Sequence, residues 1–135
     1  TSTSRATWPS PSPSSRPDAV VIVGIGVDVC SLARFAAASE RPGVLDRLLT
    51  PDEQGGRPET LAGRFAAKEA LAKALGAPAG MVWTDCVVSP DAAGQPSFSL
   101  TGTVAARASE LGVRHTHLSI SHDAGVAVAM VVCEG

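Results

Sequence analysis

Val20-Val21-Ile22-Val23-Gly24-Ile25-Gly26-Val27-Asp28-Val29 is a β-branched run interrupted only by two glycines and one carboxylate. Its composition predicts a buried strand over Val20 to Val29. Side chains alternate along a strand, so Val21, Val23, Ile25, Val27 and Val29 share one continuous apolar face. Val20, Ile22, Gly24, Gly26 and Asp28 share the other. The glycines clear space on the face that carries Asp28, which suits close approach of a ligand or of a second backbone. An equally simple reading makes Asp28 a strand end that caps the following helix. A dinucleotide-binding fingerprint fits less well, because it needs a third glycine where Val29 stands.

Downstream, Ser31 is a suitable N-cap for a helix that runs to about Glu40 and stops before Pro42-Gly43. Arg34, Arg41 and Arg47 lie along and beyond it, either as a basic surface for an acidic partner or as ordinary solvated charges. Thr50-Pro51-Asp52-Glu53 has the chemistry of a capping box with proline at the first helical position, and so starts a further short helix. Thr60 to Leu75, stopped by Gly76 with Pro78 beyond, is the strongest helix. Ala66, Ala67, Ala70, Leu71 and Ala74 give it a small-residue face for close packing, and Glu69 and Lys73 are spaced to be neighbours. As a surface ion pair those two would be worth roughly 0.3 to 0.5 kcal/mol.

A strand over Met81 to Ser89, a turn through Pro90 to Pro96 and a strand over Ser97 to Leu100 predict a hairpin. A helix from about Thr103 to Leu111 then ends at Gly112, and the strand His117 to Ser121 follows. His122-Asp123-Ala124-Gly125 interrupts before a last buried strand, Val126 to Val132. Helices and strands mix without steady βαβ alternation, which favours an α+β fold.

Composition bounds what such a fold can be. The 135 residues suffice for one domain, and aromatics at 4% with no tyrosine imply a core of small and β-branched residues. A net charge of −2 argues against a nucleic-acid binder or a polybasic membrane binder. Cys30, Cys86 and Cys133 lie in apolar runs without CxxC spacing and read as reduced core thiols of a cytoplasmic protein. Residues 1–19, rich in Ser, Thr and Pro, read as a disordered extension, leaving residues 20–135 as the folded domain. No apolar run approaches the roughly 20 residues that span a bilayer.

Three segments place ionisable groups inside apolar runs: Gly24 to Asp28, Arg64 to Lys73 and Leu118 to Asp123. Charge there is costly unless paired or bound, and together they point to a metal and phosphate site. Ser121-His122-Asp123 is no catalytic triad, since consecutive residues of an extended segment face opposite ways. His122 at a strand end is a candidate to hold a phosphate or adjust a nearby carboxylate, or simply to make a structural hydrogen bond.

Gly24-Ile25-Gly26-Val27-Asp28 with Arg34-Phe35, Gly63-Arg64-Phe65-Ala66-Ala67-Lys68-Glu69-Ala70-Leu71-Ala72-Lys73-Ala74-Leu75-Gly76, and Leu118-Ser119-Ile120-Ser121-His122-Asp123 resemble the motifs of holo-[acyl-carrier-protein] synthases, the small bacterial 4′-phosphopantetheinyl transferases. The likeness runs from about Val20 to Val132 in the right order, its central segment being the most specific. It implies a single α+β domain of the 4′-phosphopantetheinyl transferase-like fold, with helices packed on a mostly antiparallel sheet. It also implies a homotrimer with interfacial active sites, coenzyme A as donor, Mg²⁺ as cofactor and an apo-acyl carrier protein as acceptor, for fatty-acid or polyketide synthesis. Carried over by position, Asp28 and Glu69 would be Mg²⁺ ligands, Lys73 would neutralise the breaking pyrophosphate, and Arg64 and His122 would hold coenzyme A phosphates. Arg34 would meet the carrier protein. The proton acceptor stays open between Asp123 and a water on the metal. Residues 1–19 have no counterpart in the family pattern. The competing readings are a non-catalytic coenzyme A or nucleotide-binding module and a Mg²⁺-dependent coenzyme A hydrolase.

Overall fold

A computed structural model of the chain describes Pro9 and residues 19–135; the rest of the expected extension, residues 1–19, lies outside the described residues. The first strand, β1, runs Ile22–Ser31, two residues later than the sequence suggests. It pairs antiparallel with β5 (Val126–Glu134), which pairs antiparallel with β4 (His115–Asp123), so the sheet order is β1-β5-β4. A separate hairpin is formed by β2 (Cys86–Pro90) and β3 (Pro96–Leu100). Helix α1 (Leu32–Ser39) begins at the expected cap, where Ser31 Oγ accepts from the Arg34 amide at 3.2 Å. Helix α4 (Gly102–Leu111) ends at Gly112, whose φ of 76° lets the chain turn into β4.

The central element is α3 (Pro58–Ala74), which starts two residues before the expected Thr60 because Pro58 takes the first helical position, where its missing N–H costs nothing. Its alanine face lies on the helix-facing side of the sheet, against Gly24, Gly26, Ala127, Ala129 and Val131. A Cβ at Gly24 or Gly26 would overlap the backbone carbonyls of Ala74 and Ala70 respectively. The glycines therefore admit a second backbone, one of the two uses their spacing allowed.

Several expectations need correction. Helix α2 (Val44–Leu48) lacked a sequence signal: it is five residues long and starts at Gly43 with φ 81° and no capping side chain. The stretch read as the start of a strand from Met81 is in part a 3₁₀ turn, Trp83–Asp85, because Asp85 Oδ2 turns to accept from both the amide and the hydroxyl of Thr103 at 2.8 Å. Strand β4 does not stop at Ser121 but continues through His122 and Asp123 to a two-residue turn at Ala124 and Gly125, both at positive φ.

The largest departure concerns burial. Strand β1 is not covered on both faces: Ile25, Val27 and Val29 are 56%, 52% and 62% exposed, and Met130 beside them on β5 is 46% exposed. Helix α3 takes the glycine face, and no described element covers the apolar one.

Candidate active site

Asp28 lies on the helix-facing side of β1, in register with Ala129. Its Oδ1 accepts from Lys73 Nζ at 3.1 Å, and the same ammonium donates to the Val27 carbonyl at 3.0 Å. Lys73 thus pairs across to the strand rather than with Glu69, its helix neighbour, while its charge still acts on Glu69. Glu69 and Asp28 line one cleft of about 390 Å³, together with Arg34, Phe35, Leu48 and Phe65. Burial and then the Asp28 charge push the Glu69 carboxyl above its usual range, and Lys73 pulls it partly back. Two carboxylates that raise each other's cost and keep an open side suit a hard divalent cation, which takes oxygen ligands and completes its shell with water or substrate oxygens. Among the described residues no group of three or more His, Cys, Asp or Glu converges on one point.

Cys30 belongs to the same cleft. Burial, with Asp28 and Glu69 adding, raises its thiol pKa. All three cysteines are free and buried, and burial pushes Cys86 up to about 12.

Arg64 and His122 meet in a second cleft of about 490 Å³, lined also by Glu59, Thr60, Gly63, Val88 and Ser89. His122 reaches it because its register with Ala127 and Cys30 places it on the helix-facing side of the sheet. Arg64 Nη1 donates to the Glu53 carbonyl and to the Gly55 carbonyl at 2.9 Å. Among the described residues its Nε and Nη2 have no hydrogen-bond acceptor. Glu59, which the sequence did not single out, forms an acidic wall of this cleft; its own backbone amide, Arg57 and His122 lower its pKa.

The candidates thus separate into two clefts. Asp28, Glu69, Lys73 and Arg34 gather around one, Arg64 and His122 around the other, with the first turns of α3 lining the second cleft and Phe65 and Glu69 further along it lining the first. Asp123 joins neither. Its register with Val126 and Ser31 puts it on the opposite sheet face, and its Oδ1 accepts from the Ala124 amide at 2.9 Å.

Comparison with known proteins fits this arrangement. Residues 24–131 match the family model of the 4′-phosphopantetheinyl transferase superfamily. The chain is 55% identical over 121 residues to the holo-[acyl-carrier-protein] synthase of Streptomyces coelicolor, covering 84% of this chain and 98% of that one. In structure it resembles the holo-[acyl-carrier-protein] synthase of Neisseria meningitidis, with a TM-score of 0.76 and 35% identity over 85% of this chain and 100% of that one. It also resembles the Chronobacterium ammoniagenes ACPS-CoA complex, with a TM-score of 0.71 and 32% identity over 86% and 97% of the two chains. A glycine-bearing strand with its carboxylate, an alanine-rich helix with its Glu and Lys, and a matching fold over nearly the whole of each relative lead to one conclusion: the chain belongs to the 4′-phosphopantetheinyl transferase superfamily, among the holo-[acyl-carrier-protein] synthases.

Proposed function

We propose that this chain transfers the 4′-phosphopantetheine group of coenzyme A to a serine hydroxyl of an apo-acyl carrier protein, releasing 3′,5′-ADP. The observation that carries this reading is the ion pair of Lys73 with Asp28 beside Glu69, a charge arrangement suited to a pyrophosphate and a hard cation. Asp28 and Glu69 would hold Mg²⁺, which when bound supplies positive charge to the pyrophosphate oxygens. Lys73, half exposed and anchored at 3.1 Å, adds a second positive charge where negative charge grows as the bond to 3′,5′-ADP breaks. Arg64 and His122 hold the remaining phosphate, so that catalysis is chiefly positioning and charge neutralisation. Incubation with coenzyme A, Mg²⁺ and an apo-carrier protein, followed by intact mass, tests the reading. Transfer adds the phosphopantetheine mass to the carrier; release of 3′,5′-ADP without that addition would make the chain a hydrolase, and neither event would make it a binder.

The assembly we propose is a homotrimer whose active sites lie between subunits. Two observations support it. The apolar face of Ile25, Val27, Val29 and Met130 is too continuous for a monomer to leave in water. The two clefts each hold half of the required groups, so that the cleft of one copy facing the other cleft of a neighbour completes the set. Light scattering should give the mass of three chains, and Val27→Asp should reduce it to one with loss of turnover; a fully active monomer at nanomolar concentration would rule the assembly out. A cytoplasmic location accords with the free cysteines. No described helix is long and apolar enough to cross a membrane.

Arg34 lines the same cleft as Asp28 and Glu69 while remaining exposed. An exposed guanidinium on the cleft wall suits an acidic carrier protein. Arg34→Glu should raise KM for the carrier and flatten its salt dependence, with KM for coenzyme A nearly unchanged. Lys73→Ala should lower turnover at saturating carrier instead. Steady-state kinetics with each substrate varied in turn distinguishes the two, and the reverse pattern would refute both roles.

A further inference from the structure

Lys68 is the largest fully buried side chain of the described protein, at 0% exposure, and it carries a charge. Its Nζ donates to Glu53 Oε1 at 2.7 Å, to the Leu48 carbonyl at 2.8 Å and to the Trp83 carbonyl at 3.1 Å, which uses all three of its protons. Glu53, 2% exposed, is equally saturated. Its Oε1 also accepts from the Thr50 amide at 2.8 Å and the Thr50 hydroxyl at 3.2 Å, and its Oε2 accepts from the Val88 amide at 2.7 Å. The capping box read from the sequence is therefore only one of the jobs of Glu53.

An ion pair in the core is weak evidence for stability, because apolar side chains of the same volume often serve as well. What sets this pair apart is where its bonds lead. The turn that Lys68 fixes through the Glu53 side chain is the turn whose Glu53 and Gly55 carbonyls hold Arg64 Nη1. Arg64 and Lys68 are one helical turn apart on α3. The helix thus carries both the arginine and the lysine that anchors the arginine's support, closing a circuit. The same carboxylate pins Val88, which lines the Arg64 cleft.

From this circuit we infer that Lys68 and Glu53 are positioning residues: they hold the 53–55 turn so that Arg64 presents its Nε and Nη2 to a phosphate of coenzyme A, and so set coenzyme A affinity. This rests on the reading of Arg64 given under the proposed function. The pair touches no substrate itself. A positioning role requires that the pair's effect pass through Arg64, whereas a merely structural pair, or one acting through Val88, would not need the arginine.

The test is a cycle of variants. Lys68→Met with Glu53→Gln removes both charges at nearly constant volume and leaves no unpaired ion in the core. In the parent this double variant should raise KM for coenzyme A about tenfold and change kcat less than about threefold, measured well below its melting temperature. In an Arg64→Ala background, where the group being positioned is gone, the same double change should move KM less than about twofold. An equal factor in both backgrounds, or no effect in the parent, overturns the inference while leaving Arg64 its role. If Arg64→Ala alone leaves KM for coenzyme A unchanged, the underlying reading of Arg64 fails and the positioning role falls with it. Should the double variant not fold, Glu53→Gln alone keeps the side-chain shape and one acceptor oxygen, and the cycle is run with it: an effect that needs Arg64 supports the positioning role, and an equal factor in both backgrounds overturns it.

Discussion

Asp28→Ala and Glu69→Ala should each lower phosphopantetheine transfer by two or more orders of magnitude, a loss of roughly 3 kcal/mol or more in transition-state stabilisation. Each leaves one carboxylate where the cleft has two, too few fixed anionic groups to hold a divalent cation against water. The two variants should differ in stability. Asp28→Ala strips Lys73 of its carboxylate partner, but the ammonium is half exposed and keeps the Val27 carbonyl, so the cost is within about 1 kcal/mol. Glu69→Ala removes a carboxylate whose ionisation folding opposes. A carboxyl with a folded pKa above its unfolded value disfavours the folded state once pH rises past the unfolded pKa, and that penalty is fully present above the folded one. At neutral pH Glu69→Ala should therefore melt no lower than the parent while losing activity. Its melting temperature should also stop responding to Mg²⁺ added with coenzyme A, a readout independent of turnover. Near-normal transfer by either variant at low Mg²⁺ would remove the proposed site, and a large fall in the melting temperature of Glu69→Ala would show that its carboxylate is structural.

Which parts of this protein its sequence discloses follows from the range of the interactions involved. Strands β1, β4 and β5, the β2–β3 hairpin and helices α1, α3 and α4 are local patterns with caps and stops that act within a few residues, such as Ser31, Gly76 and Gly112, although Thr60 reads as the start of α3 where Pro58 begins it. The alternation of β1 showed that Gly24, Gly26 and Asp28 share a face, but not which face the protein covers. Composition favoured burying the valines. Packing decided otherwise, because only the glycine face lets α3 approach. The Glu69–Lys73 spacing was right about proximity and silent about the stronger competitor, Asp28, which comes from 45 residues away in sequence. Glu53 and Lys68 escaped notice for the same reason. A capping box explained the first, and the second stood inside a motif already accounted for by its neighbours. The available signal was a lysine within a helix that is apolar around most of its circumference, where a charge cannot stay without a buried partner.

Gly26→Ala tests how far fold and site depend on one contact. The added Cβ would meet the Ala70 carbonyl, a backbone atom in the middle of α3, so no rotamer change relieves the clash. Strand and helix must separate, and overpacking of this kind costs about 1 to 3 kcal/mol, the upper end being expected where the obstacle is backbone. A loss of about 3 kcal/mol corresponds to a fall in melting temperature of roughly 10 °C for a domain of this size. The shift should also reach the chemistry. Asp28 is two residues along the same strand face, whereas Glu69 and Lys73 flank Ala70 on the helix, so the displacement moves one carboxylate away from the other and from the ammonium. Misplacement of about 1 Å in a catalytic array can cost up to a hundredfold. Turnover should thus fall at least about tenfold even at low temperature, where the variant is folded. Ala70→Gly added to Gly26→Ala should not rescue either property, because it deletes a methyl group and leaves the carbonyl where it was. Recovery in that double variant would show that side-chain volume, not the backbone approach, holds Asp28 against Lys73. A single Gly26→Ala variant with parental melting temperature and turnover would show that the close approach is dispensable.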